Sequence, residues 1–138
     1  MTIVIDGEPT GKGRPRLSSR NGFVRVHTPN KTVAYEDKVK LAYRTQVSRK
    51  EPYNDNTPLS VTIVCFFSIP KSWSKKKREA SIGQWSNRKP DVDNVAKIIL
   101  DALNGLAYED DKQIVSLHIY KWWAEEPKVM VTIEGEEI

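Results

Sequence analysis

The stretch that most limits how this chain can fold is LSVTIVCFFSI, Leu59 to Ile69, which is rich in β-branched and aromatic residues and stops at Pro70. Such side chains fit a pleated, buried surface, so the run predicts a buried strand that other elements must cover. Helices are available to do so. From Thr32 the apolar period changes, and Tyr35, Val39, Ala42, Tyr43 and Val47 mark one helical face. That helix should run to about Arg49, because Pro52 and an Asn-Asp-Asn cluster follow. A second helix, over Asp91 to Leu103, is the clearest in the chain. Val95, Ile98, Ile99, Ala102 and Leu103 form its apolar face, and Asn104-Gly105 stops it.

Shorter alternating runs at Thr2–Ile5, Phe23–His27, Gln113–Trp122 and Lys128–Glu134 read as further strands. Turn chemistry lies between them, notably Asp6-Gly7, Asn21-Gly22 and Glu125-Glu126-Pro127. The last of these is short enough to predict that the two final strands pair as an antiparallel hairpin. Ser74 to Ala80 is a basic segment read as a helix, and residues 81–90 are a polar connector. The expectation is an α+β fold: a single two-layer domain over 1–138, with a mixed or antiparallel sheet of four to five strands and two to three helices.

Charge is unevenly spread along this frame. Residues 1–90 carry 18 Lys plus Arg against 7 Asp plus Glu, a balance of +11; residues 91–138 carry 4 against 11, a balance of −7. A basic part suits a polyanion and an acidic part suits cations. The single cysteine, Cys65, forbids an intrachain disulfide and fits a reducing, cytoplasmic setting. It lies in the apolar run without a His partner and reads as core. The apolar runs are too short to cross a bilayer, and the first ten residues lack the pattern of a signal peptide, so no membrane partner is expected. His27 and His118 form no metal-ligand spacing.

The chemistry-bearing stretch is KPDVDNVAKIILDALNGLAYEDDKQIV, residues 89–115. Asp91 and Asp93 bracket a helix start, where the helix dipole favours carboxylates. Lys97, four residues after Asp93, shares its face. Asp101 extends that face but stands about 12 Å from Asp93 along the axis. An ion pair with Lys97 accounts for it. Asp110 and Asp111 precede a strand, and a short return connection could carry Asp111 back towards Asp91 and Asp93. Convergent carboxylates repel unless a cation neutralises them. Oxygen ligands without His or Cys favour Mg²⁺, or Mn²⁺, over Zn²⁺. One hydrated Mg²⁺ would need the three carboxylates within about 3 to 5 Å of a common point. A carboxylate-held metal beside a lysine suits phosphodiester hydrolysis.

Basic residues that could hold the polyanion fall in two places. Lys12, Arg14 and Arg16 occupy the Gly/Pro-rich loop GKGRPR, where glycine permits close approach to a phosphate. The loop lacks the spacing of a nucleotide-binding P-loop, so no nucleotide cofactor is expected. Lys75, Lys76, Lys77 and Arg78 form the densest run, flanked by Trp73 and Trp85. These tryptophans could stack on bases, or pack in the core or a dimer interface; both readings stay open. Trp122 and Trp123 are adjacent on a strand and face opposite sides.

PDVDN, then AKIILDALNG, then AYEDDKQI, resembles the RusA family of Holliday junction resolvases, including its phage and prophage members. GKGRPR, TPNKT and Tyr35-Glu36 look like the N-terminal part of phage-type members. The resemblance implies a homodimeric, Mg²⁺-dependent endodeoxyribonuclease that cuts four-way DNA junctions symmetrically. It implies Asp91, Asp93 and Asp111 as metal carboxylates, Lys97 as the essential lysine and Asp110 as a secondary acid. Two rivals accompany this expectation. One is an accessory protein that binds branched or single-stranded DNA without cutting it; the other is a nuclease with broader taste for flaps or forks.

Overall fold

The computed structural model describes residues 1–13, 16–20, 22–27 and 29–136, with the backbone alone described at 16–20 and 23–27. In chain order the elements are β1 (Thr2–Asp6), β2 (Arg16–Arg20), β3 (Phe23–His27), α1 (Asn30–Gln46), β4 (Leu59–Ser68), α2 (Lys75–Ser81), α3 (Val92–Leu103), β5 (Ile114–Ala124) and β6 (Lys128–Gly135). A 3₁₀ turn, Asp111–Gln113, leads into β5. The α+β expectation holds: a four-stranded mixed sheet in the order β1-β6-β4-β5 is covered on one face by α1 and α3, and β2 and β3 form a separate two-stranded ribbon. No helix is long and apolar enough to cross a membrane among the described residues.

Strict alternation builds the buried layer. In β4, Leu59, Val61, Ile63, Cys65 and Phe67 point inward and are at most 1% exposed, while the residues between them are half-buried on the other face. Ile3 and Ile5 of β1 and Val129, Val131 and Ile133 of β6 complete the inner surface. Onto it α1 lays Tyr35, Val39 and Tyr43, and α3 lays Val95, Ala96, Ile98, Ile99, Ala102 and Leu103. Each large aliphatic side chain so buried contributes about 1.5–3 kcal/mol. This packing fixes the roll of α3, so Asp93, Asn94 and Lys97 face solvent. Burial pushes the Cys65 thiol up to about 12, far from a reactive thiolate.

Two expectations about the strands change. The last two strands do not form a hairpin. β6 pairs antiparallel with both β4 and β1, whereas β5 pairs in parallel with β4 at the sheet edge. The apolar β4 needs a neighbour on each side, and it lies between them. The parallel pairing forces a long crossover from β4 to β5, and this crossover carries α2 and α3. The second change is β2, whose sequence RLSSR shows no alternation, but which pairs with β3 along its full length. Gly22, at φ 81°, stands in the turn between them.

Candidate active site

α3 begins where the connector 81–90 ends in a cis Lys89–Pro90 peptide. Asp91 is the N-terminal cap residue in extended conformation, yet its side chain caps nothing. Asp93 lies in the first turn. Asp91, Asp93 and Lys97 are exposed, and none makes an ion pair or side-chain hydrogen bond among the described residues. Asp111, exposed at the head of the 3₁₀ turn, is equally uncommitted.

The neighbouring acids are spoken for. Asp110 caps the 3₁₀ turn by accepting from the Lys112 amide at 3.0 Å, and its own amide donates to Gln113 Oε1 at 3.0 Å. This reciprocal arrangement is a capping box. Gln113 is almost fully buried, and its Nε2 donates to the carbonyls of Asn54 at 2.6 Å and Thr57 at 3.0 Å. The Asp-Asp-x-Gln signature therefore divides its labour: Asp110 and Gln113 hold the turn, and Asp111 is presented to solvent. Nearby, the buried Tyr108 donates its hydroxyl to the Leu100 carbonyl at 2.5 Å. Burial, with the charges of Asp111 and Asp101 added, raises the pKa of this phenol.

Asp101 departs from the sequence expectation. Its partner is Lys12, at 3.2 Å, rather than Lys97. The Lys12 ammonium also donates to both carboxylate oxygens of Glu36 in α1, at 3.3 Å each. Burial pulls the Lys12 pKa down, but its hydrogen bonds to Asp101 and Glu36 outweigh this and raise it overall. The loop's sequence points Lys12 at DNA phosphates; in the structure it ties the N-terminal loop to two helices.

The backbone does the same. The Lys12 amide donates to the Asn94 carbonyl at 3.1 Å, and the Gly13 amide to Thr32 Oγ1 at 2.9 Å. A Cβ on Gly11 would stand 2.7 Å from Pro90 Cβ, and one on Gly13 2.7 Å from Thr32 Oγ1. Both glycines thus permit close packing against helix starts, where the sequence reading had them approaching a phosphate. Asn94, Glu36 and Asp101 were not singled out as site residues. Their roles depend on contacts between distant segments, which local spacing does not reveal.

The braced loop, the connector and the start of α3 enclose a cleft of about 920 Å³. Lys31, Arg88, Lys89 and Asp91 are among its lining residues. Arg88 is 3.9 Å from Glu8 and donates to the Ser68 carbonyl at 3.2 Å, while Ser68 donates its hydroxyl to Glu8. Of the sequence-assigned basic residues, Lys75, Lys76, Lys77 and Arg78 are all exposed on α2, whose start is capped by Ser74. Arg14 and the Arg16 side chain lie outside the described residues.

The donor chemistry fits a hard cation, since the free groups are all carboxylates. The geometry is looser than expected: among the described residues, no three His, Cys, Asp or Glu side chains gather into a metal-holding cluster. Asp111 acts on Tyr108 beside the second half of α3, whereas Asp91 and Asp93 mark its start. Mg²⁺ does not require a full protein cage; it commonly keeps its waters and takes one or two carboxylates plus substrate phosphates.

Three comparisons bear on this site. The family description "Endodeoxyribonuclease RusA" matches residues 6–134. A Bacillus subtilis (strain 168) protein, "Uncharacterized protein YqaN", is 42% identical over 138 residues, covering 96% of this chain and 94% of its own. "Crossover junction endodeoxyribonuclease rusA" of Lactococcus phage r1t is 28% identical over 130 residues, covering 94% and 92%.

Proposed function

The chain belongs to the RusA endodeoxyribonuclease family, and on that premise we propose that it is a Mg²⁺-dependent nuclease that resolves four-way DNA junctions by paired, symmetric nicks. The observation that carries this reading is the contrast among the acids. Asp91, Asp93 and Asp111 stand exposed and uncommitted, while the adjacent Asp101 and Asp110 are used to hold structure. Asp91 lines a cleft that also holds Lys12, Lys31, Arg88 and Lys89, and the helix dipole alone does not account for a set of acids left without partners among the described residues.

Asp91, Asp93 and Asp111 would hold the ion, with water and the scissile phosphate completing its shell. When bound, Mg²⁺ supplies a polarised phosphoryl oxygen and a water of lowered pKa. The rest of the work falls to the protein. Lys97 places a cation one helical turn from Asp93, where it offsets the charge that grows on the phosphoryl oxygens during in-line attack. Lys31, Arg88 and Lys89 attract the backbone of the entering strand into the cleft. Arg14, Arg16 and the α2 residues Lys75, Lys76, Lys77 and Arg78 extend that contact along the arms. A two-fold dimer puts one site on each of two symmetry-related strands. The exposed Val115 and Leu117 on the edge strand β5 support a partner subunit.

A synthetic four-way junction incubated with the purified protein and Mg²⁺ tests the reading. Paired nicks at symmetric positions, lost in EDTA, are expected. Tight junction binding without any Mg²⁺-dependent product would favour the accessory DNA-binding role instead. Equal cleavage of flaps and forks in competition would favour the broader nuclease.

A further inference from the structure

Trp73, Trp122 and Trp123 are at least partly buried, and Trp85 is not. Trp123 is buried, and Trp73 packs edge-on against it with ring centres 5.1 Å apart. Trp73 therefore belongs to the core margin. Trp85 stacks flat on Trp122, with ring centres 3.6 Å apart and planes 16° from parallel, and Tyr120 lies nearly parallel at 6.4 Å. Yet Trp85 remains 64% exposed, so its outer face and edges are open to solvent. An indole left this open forgoes most of its burial energy, which makes it more informative than a scattered surface leucine.

The ring is also held rigidly. The Gly83 amide donates to the Trp123 carbonyl at 3.0 Å, the Trp123 amide to Gln84 at 2.9 Å and the Ser86 amide to Lys121 at 2.9 Å. These bonds zip the connector onto the end of β5. Lys121 Nζ then donates to the Arg88 carbonyl at 2.5 Å, pinning the chain that leads on to Asp91. Asp91 lies six positions after Trp85, a reach of at most about 20 Å.

We propose that the outer face of Trp85 receives an unpaired nucleobase of the branched DNA substrate, an inference that rests on the nuclease reading above. Charge favours a nucleic-acid strand as occupant. Residues 71–90 carry seven Lys plus Arg and one Glu, a balance of +6, and all seven basic residues are exposed. Glu125 and Glu126 share a cleft with Lys75 and Arg78 and offset part of this, but Arg88 and Lys89 lie on the path from Trp85 to Asp91. A flat aromatic face next to a basic track is what a strand with exposed bases needs: the ring takes the base and the cations take the phosphates. Bases at a crossover are the ones that lose a stacking neighbour when the arms part. Trp85 would replace that neighbour and hold the strand so that the adjacent phosphate runs towards Asp91. Because Trp85 is already fixed, little ordering cost opposes the contact.

The test compares wild-type protein, Trp85→Ala and Trp85→Tyr for binding of oligothymidylate and of a blunt duplex in EDTA, with junction cleavage in Mg²⁺ followed in parallel. Trp85→Ala should bind oligothymidylate about tenfold more weakly, Trp85→Tyr within about threefold of wild type, and all three should bind duplex alike. Equal binding of oligothymidylate by wild type and Trp85→Ala would overturn the proposal. So would a Trp85→Ala protein whose lost affinity tracks a change in oligomeric state, because the ring would then belong to a protein interface. The nuclease reading fails separately. Wild type that cuts no junction but still shows the Trp85-dependent affinity retains the stacking site and loses the catalytic role.

Discussion

The two halves of α3 put the same residue type to opposite uses. At the start, Asp91 and Asp93 are exposed and their side chains bond to no partner among the described residues. In the second half, Asp101 is half-buried, bonded to Lys12, and near a buried phenol. One part of the helix leaves its acids free, for a metal ion in the function proposed above, and the other serves the protein's own coherence. A carboxylate's identity therefore says little about its task; the partners around it decide.

This contrast can be broken most forcefully at its functional end. Asp93→Asn should lower junction cleavage by at least about a thousandfold while shifting the melting temperature little, since among the described residues the side chain makes no ion pair or hydrogen bond and only the helix dipole favours its charge. Cleavage assays paired with thermal denaturation check this, and a variant that unfolds early while cutting normally would erase the distinction. At the structural end, Gln113→Ala strips hydrogen bonds from the part-buried carbonyls of Asn54 and Thr57 and removes one half of the capping box. A loss of about 2–3 kcal/mol in denaturant unfolding is expected.

Lys12→Met should have the smallest effect, about 1 kcal/mol at neutral pH, because it removes an ion-pair network that is only partly buried. It also carries a pH signature. The folded pKa of Lys12 is raised, so its stabilisation is fully present below the unfolded value of about 10.4 and is lost as pH rises through the folded pKa. The buried phenols of Tyr35 and Tyr108 slope in the same direction at alkaline pH. Lys12→Met should therefore flatten the alkaline decline without abolishing it, as pH-dependent unfolding curves would show.

Much of this was readable along the chain because the deciding interactions are local. The apolar stripe of α3 repeats every three to four residues, and the alternation of β4 declares a buried strand. What escaped involves segments far apart. Lys12 meets Asp101 across 89 positions of chain, and no spacing rule links them. Local reasoning supplied Asp101 with the nearest cation, Lys97, and gave Lys12 to DNA phosphates. The placement of β6 escaped for a related reason. A short turn after β5 favours a hairpin, but the preference is small beside the gain from flanking the apolar β4 on both sides.

The strand order also sets a schedule for the birth of the protein. β6 lies between β1 and β4, and the Met1 ammonium donates to the Ile133 carbonyl at 2.9 Å. During synthesis β1 emerges early and waits for a neighbour that is translated after every other strand. Until then β1 has no sheet to join, and the apolar face of β4 lacks its antiparallel neighbour. Such long-range pairing slows folding and leaves apolar edges open in the nascent chain. The floor of the cleft-bearing layer is thus completed only once β6 has been made, so a ribosome-bound fragment ending before β6 holds the acids of α3 but no finished sheet to mount them on.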